Sequence, residues 1–107
     1  MIKSLLLTIS IILLHTSLYA FTNDQIANAI YKAEGGDKTS YPYGILKHYK
    51  TTSPRQVCIN TINHARRDWN GEGDFIVFLG ERYCPPKAHK LNKNWVKNVN
   101  FFLRKEK

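Results

Sequence analysis

Cysteine and histidine are scarce in this chain. Only two cysteines, Cys58 and Cys84, and four histidines occur among 107 residues. His48, His64 and His89 stand far apart, with no paired spacing and no cysteine cluster beside them. No metal site is therefore expected, because structural and catalytic zinc need three or four such ligands at close spacing. Acid is scarce too: 8 Asp and Glu face 16 Lys and Arg, a formal net charge of +8 at pH 7. A surface so basic favours polyanionic partners, whether nucleic acid, anionic lipid or cell wall. There is no repeat and no low-complexity segment. Gly36-Asp37-Lys38-Thr39 lacks the glycine before its lysine and the preceding strand that a phosphate loop requires, so no nucleotide or other cofactor is expected.

Long apolar runs are also missing, with one short exception. Leu5 to Leu14 is apolar but for Thr8 and Ser10, follows Lys3, and precedes Thr16-Ser17-Leu18-Tyr19-Ala20. A positive start, an apolar middle and a small residue at the end form the pattern of a secretory signal peptide. The alternative, a membrane anchor, needs roughly 20 apolar residues, and His15 interrupts this run. Residues 1–20 are thus expected to be removed. Residues 21–107 would remain as one small domain, secreted or periplasmic, with no stable membrane anchor. No cysteine lies near the cut, so no lipoprotein anchor is expected.

Export changes how the two cysteines are read. In an oxidising compartment Cys58 and Cys84 are expected to pair, the alternative being two buried thiols. Closing the chain between residues 58 and 84 would stabilise a small domain by roughly 3–4 kcal/mol through loop-closure entropy. Export also lowers the weight of nucleic acid as a partner, which rests only on charge and on His64-Ala65-Arg66-Arg67.

The rest of the chain reads as helices. Thr22 and Gln25 form a capping box flanked by Phe21 and Ile26, and Ile26, Ala29, Ile30 and Ala33 follow at helical spacing until Gly35. Pro42 and Gly44 punctuate a loop or short β-like excursion. Ser53, Pro54 and Gln56 open a second helix with Cys58, Ile62, Ala65 and Trp69 as its buried stripe. Asn70-Gly71-Glu72-Gly73 breaks the chain. Asp74 then caps a third helix carrying Phe75, Phe78 and Leu79 inward, stopped by Pro85 and Pro86. Lys87 to Asn94 reads as a basic loop, and a fourth helix carries Trp95, Val99, Phe102 and Leu103. The fold class is mainly α.

One carboxylate is oddly placed. Glu34 ends the first helix, where the dipole disfavours negative charge. Burial beside Tyr41, Tyr43 and Ile45 would raise its pKa further, as a general acid requires. Either it is a solvated helix-end glutamate, or its proton is used. Cys58 with His64 as a nucleophilic pair is the lesser candidate, since a bridge removes the thiol.

Ala29-Ile30-Tyr31-Lys32-Ala33-Glu34-Gly35-Gly36, with Tyr43-Gly44-Ile45-Leu46 after it, resembles the active-site region of lytic transglycosylases of the lysozyme-like superfamily. Glu34 matches their catalytic glutamate in an E-S-G-G-like context, and Gly44-Ile45-Leu46 the start of their G-L-M-Q-like segment. Asp68-Trp69-Asn70-Gly71-Glu72-Gly73 is similar to their Y-N-A-G-P-G turn, and Asn94-Trp95-Val96-Lys97-Asn98-Val99 to their late R-N-Y-V-x-x-V helix. The likeness spans nearly all of residues 21–107 in the family's order. It departs at Gly35, where the family commonly has serine, and at Lys47, where it has glutamine.

The resemblance implies a small lysozyme-like domain acting on the glycan strands of peptidoglycan as a monomeric lyase. Glu34 would protonate the leaving oxygen of the N-acetylmuramic acid–N-acetylglucosamine β-1,4 bond. It would then deprotonate the sugar's own 6-hydroxyl, giving 1,6-anhydro ends. A hydrolase would need a second acid, for which Asp37 is the nearest candidate, although a loop aspartate also serves simply to form a turn. Tyr43 and Trp69 would stack on sugar rings or pack in the core. Gly44 and Ile45 would line the cleft, and Asn70 would hold an N-acetyl group or shape its turn. The alternative function is a non-catalytic, cationic wall-binding or inhibitor module on the same fold.

Overall fold

The computed structural model describes residues 21–83 and 90–106. The expected signal peptide (1–20), Cys84 and His89 lie outside the described residues. Four α-helices follow one another: α1 (Asn23–Ala33), α2 (Pro54–Asp68), α3 (Phe75–Tyr83) and α4 (Lys90–Arg104). Two 3-10 turns, Gly36–Lys38 and Pro42–Gly44, connect α1 to α2. The β-like excursion is therefore a pair of tight turns, and no strand occurs among the described residues.

Local chemistry starts each of the first three helices. Thr22 Oγ1 accepts from Gln25 N–H at 3.1 Å and Gln25 Oε1 from Thr22 N–H at 2.8 Å, completing the capping box. Ser53 Oγ accepts from Gln56 N–H at 3.1 Å, but the Gln56 amide donates to Asn60 instead of closing a box. Asp74 Oδ1 accepts from the N–H groups of Ile76 and Val77. Each satisfies donors that the first helical turn leaves orphaned.

The core joins Ile26, Ala27, Ala29 and Ile30 of α1 to Ile62 and Ala65 of α2, Leu79 of α3, and Val99 and Leu103 of α4. Ile26, Ile30, Ile62, Leu79 and Leu103 are fully buried, each contributing about 1.5–3 kcal/mol. Leu79 is buried on α3 as expected, together with Ile76 and Gly80, and Phe75 and Phe78 pack half-buried against the core beneath Arg66 and Arg82, whose guanidinium carbons lie 5.0 and 5.1 Å from the ring centroids. One expectation needs correction. The expected loop from Lys87 to Asn94 is already helical from Lys90, since only Gly and Pro break helices strongly and neither occurs there.

Close approach of α3 to α4 depends on Gly80. A Cβ there would sit 3.0 Å from Val96 Cγ2 and 3.1 Å from Trp95 Cε3. Without one, Tyr83 and Trp95 stack with ring centroids 5.2 Å apart. On the other side, the Arg55 Nη1–H group donates to Asn28 Oδ1 at 2.9 Å and to Tyr43 Oη at 3.0 Å, and Nη2 pairs with Asp24 at 3.2 Å. One guanidinium thus ties α2 to α1 and to the second 3-10 turn.

Candidate functional site

The end of α1 sets the site. Glu34 is its C-cap, with its N–H donating to Ile30 O at 2.9 Å. Gly35 (φ 110°) and Gly36 (φ 57°) then turn through the left-handed region, which suits glycine. A serine at position 35 would be strained, and its Cβ would meet Thr39 Cβ at 3.2 Å. The departure at Gly35 therefore has a backbone cause.

The second 3-10 turn brings the chain back. Tyr43 has φ 60°, uncommon for a residue with a side chain, and Gly44 has φ 70°. Two contacts hold Tyr43 there: its ring packs 5.1 Å from that of Tyr31, and its hydroxyl accepts from Arg55. The turn presents Gly44 to Glu34 so closely that a Cβ would stand 2.8 Å from Oε2 and 2.9 Å from Cδ.

Glu34 and Gly44 face a cleft of about 260 Å³ whose other walls are Ala33, Tyr83 and, from α4, Asn94, Trp95 and Asn98. Burial raises the Glu34 carboxyl above its ordinary value of 4.5. A smaller, opposing influence comes from the Trp95 indole N–H, which lies near enough to favour the charged form. That N–H is buried and has no partner in hydrogen-bond geometry among the described residues. A buried donor without a partner costs stability, and one beside a carboxyl group is poised to serve its anion. Glu34 makes no ion pair among the described residues. Its burial comes from Gly44, Tyr83 and Trp95 rather than from the expected aromatic loop, where Tyr41 is exposed and Tyr43 turns into the core.

The expected site residues separate. Gly44 lines the Glu34 cleft, and Ile45 lines an adjoining pocket that shares Gly44 and Tyr83 with it. Tyr43 is buried, so its ring belongs to the core. Trp69 lines a different pocket with Phe21, Asp74 and Phe75, one that shares no residue with the Glu34 cleft. Its indole N–H donates to Glu72 O at 3.0 Å and its ring meets Phe75 edge-on. Asn70 Oδ1 accepts from Glu72 N–H at 2.9 Å, shaping its turn. The Asp37 carboxylate accepts from the Tyr31 hydroxyl and does not line the cleft. Cys58 is fully buried on α2, where burial pushes a thiol up to about 11, and its expected partner Cys84 is outside the described residues. Among the described residues no group of His, Cys, Asp and Glu could hold a metal ion.

Sequence reasoning named the N-W-V-K-N segment only as a likeness and assigned none of its residues to the site. Asn94 and Asn98 stand four apart, and Trp95 lies between them on the same helix, so helical spacing carried that signal. Tyr83 gave none, because only the tertiary contact across Gly80 brings it to Trp95. No family model matches the chain, and neither a characterised protein nor a solved structure does.

Proposed function

We propose that this protein is a small exported lytic transglycosylase that cleaves peptidoglycan glycan strands with Glu34 as its single acid and base. The observation that carries the reading is a half-buried carboxyl group with a raised pKa, facing a cleft whose described lining holds no second carboxylate. A neutral carboxyl group there gives its proton to the leaving glycosidic oxygen. The resulting carboxylate then takes the proton of the 6-hydroxyl as that oxygen closes on the anomeric carbon. The proton count balances and no water is consumed. The Trp95 N–H is suited to hold the anion between the two steps, and the amides of Asn94 and Asn98 are suited to bind N-acetyl groups.

The reading includes a lysozyme-like arrangement of the helices, removal of residues 1–20, and a Cys58–Cys84 bridge. The bridge is inferred from the expected export; Cys58 is fully buried on α2, and the buried hydroxyl of Tyr83, the neighbour of Cys84 in sequence, makes no hydrogen bond among the described residues. No helix among the described residues is long and apolar enough to cross a membrane.

The test is incubation of the protein with purified sacculi, followed by mass analysis of released fragments. Anhydro ends, one water lighter than hydrolysis products, support the reading. Reducing ends indicate a hydrolase whose second acid is not among the described lining of this cleft, since Asp37 lies outside it. Binding without release, unchanged in Glu34→Gln, indicates the non-catalytic wall-binding module.

A further inference from the structure

The Glu34 cleft does not end at Gly44. A second pocket of about 320 Å³ shares Gly44 and Tyr83 with it, so a chain lying over Glu34 and crossing Gly44 runs into this pocket. Its wall includes the half-buried Ile45, Val57 and Thr61, and it carries two cations, Lys47 and Arg82. The two cations differ. Arg82 is paired with Asp68 at 2.8 Å and lies over the Phe78 ring, so much of its charge is already answered. Lys47 makes no ion pair among the described residues, and its ammonium stands 5.2 Å from the centroid of the Tyr49 ring. An aromatic face holds a cation without neutralising it.

We infer that this pocket binds an acidic substituent of the glycan through Lys47, so that the protein selects carboxylate-bearing amino-sugar polymers over neutral ones. The inference rests on the proposed action at Glu34 and adds a specificity determinant to it. Lys47 and Tyr49 are both exposed, so the ammonium is open to a ligand crossing Gly44, and a neutral N-acetylglucosamine polymer offers it no counter-charge. The acidic group has two sources in wall glycan, the lactyl carboxylate of the sugar and the carboxylates of an attached peptide.

The experiment uses Glu34→Gln, which binds without turnover, with and without Lys47→Gln. Three glycans of matched length serve as ligands: neutral N-acetylglucosamine oligomer, peptide-free wall glycan with lactyl carboxylates, and the same glycan bearing its peptides. Affinity is followed by amide shifts at Gly44 and Lys47. Exposed pairing of one ammonium with one carboxylate is worth about two- to fivefold in affinity. Lys47→Gln is therefore expected to lower the acidic-to-neutral affinity ratio by that factor at low salt, and the difference is expected to shrink at high salt. A drop already present with the peptide-free glycan assigns the lactyl group, and a drop confined to the third ligand assigns the peptide. An unchanged ratio overturns the acidic subsite while leaving glycan binding intact. No binding of any glycan overturns the action at Glu34 and the subsite with it.

Discussion

Gly44→Ala tests the site at its tightest contact. The substitution does two separable things. It forces an L-residue to φ 70°, which costs about 1–2 kcal/mol, partly offset by about 0.4–1 kcal/mol from a stiffer unfolded chain. It also puts a methyl group 2.8 Å from Glu34 Oε2, so the carboxyl group must swing away. A side chain can do this by leaving its rotamer at about 0.5–1.5 kcal/mol. The sum is a loss of about 0.5–3 kcal/mol, or a fall of roughly 2–24 °C in Tm for a domain of this size. Glycan cleavage should suffer far more, because misplacing a reacting group by an ångström costs about a hundredfold.

Gly73→Ala is the control. Gly73 has φ 74° and open space around its Cβ position, so it carries the backbone cost without touching Glu34. Thermal unfolding and fragment release from sacculi are measured on both variants. The expected pattern is a smaller Tm loss in Gly73→Ala than in Gly44→Ala, with cleavage lost only in Gly44→Ala. Equal activity in the two variants would refute the claim that the position of Glu34 against Gly44 matters to the chemistry.

Glu34→Gln should lower cleavage by about a hundred- to ten-thousand-fold, the worth of a general acid. Its stability should differ from the native protein with a definite sign. Because burial raises the folded carboxyl above 4.5, native stability is fully present below that pH and is lost as pH rises through the folded pKa. The glutamine variant therefore gains relative stability across that window in urea titrations, and a gap that widens toward low pH would contradict the burial. Gly80→Ala adds a Cβ at 3.0 Å from Val96, an overpacking cost of about 1–3 kcal/mol against about 1 kcal/mol of helix propensity. A net loss of about 1 kcal/mol is expected by chemical denaturation, and a stabilised variant would mean that α3 and α4 have room to part. Alkylation without reductant should modify neither Cys58 nor Cys84, and it must be run in denaturant because burial alone would shield a Cys58 thiol pushed up to about 11. Two modified thiols would refute the bridge.

What was legible in the sequence was local. Thr22, Ser53 and Asp74 announce helix starts because a cap acts within three residues. Gly35 announces the end of α1, and with it the helix-end position of Glu34, because only the left-handed region turns the chain there. What was not legible depended on contacts made far along the chain. Tyr43 reads as a sugar-stacking ring until its positive φ and the pull of Arg55 turn it inward. Trp69 and Glu34 both sit at helix ends, yet the fold assigns them to separate pockets. Lys90 to Asn94 reads as loop from its charge, but packing of Trp95 and Val99 favours helix throughout that stretch.

The proposed single-acid reaction sets a requirement that a two-carboxylate site does not face, and the surroundings of Glu34 suit it. One group must hold a proton near neutral pH and, moments later, exist as an anion basic enough to take another. A cation in contact would stabilise the anion and drain its basicity, while complete burial would forbid the anion altogether. Glu34 has neither: it is half-buried, free of ion pairs among the described residues, and beside the neutral Trp95 donor. An indole N–H is suited to that task because it never titrates and never accepts a proton. Its orphaned state is then a cost borne before the reaction and recovered when the carboxylate forms. The proposed reaction is also compatible with cations that line not the Glu34 cleft itself but the neighbouring pocket. There Lys47 can meet an acidic substituent without lowering the pKa of the group that must first give up its proton.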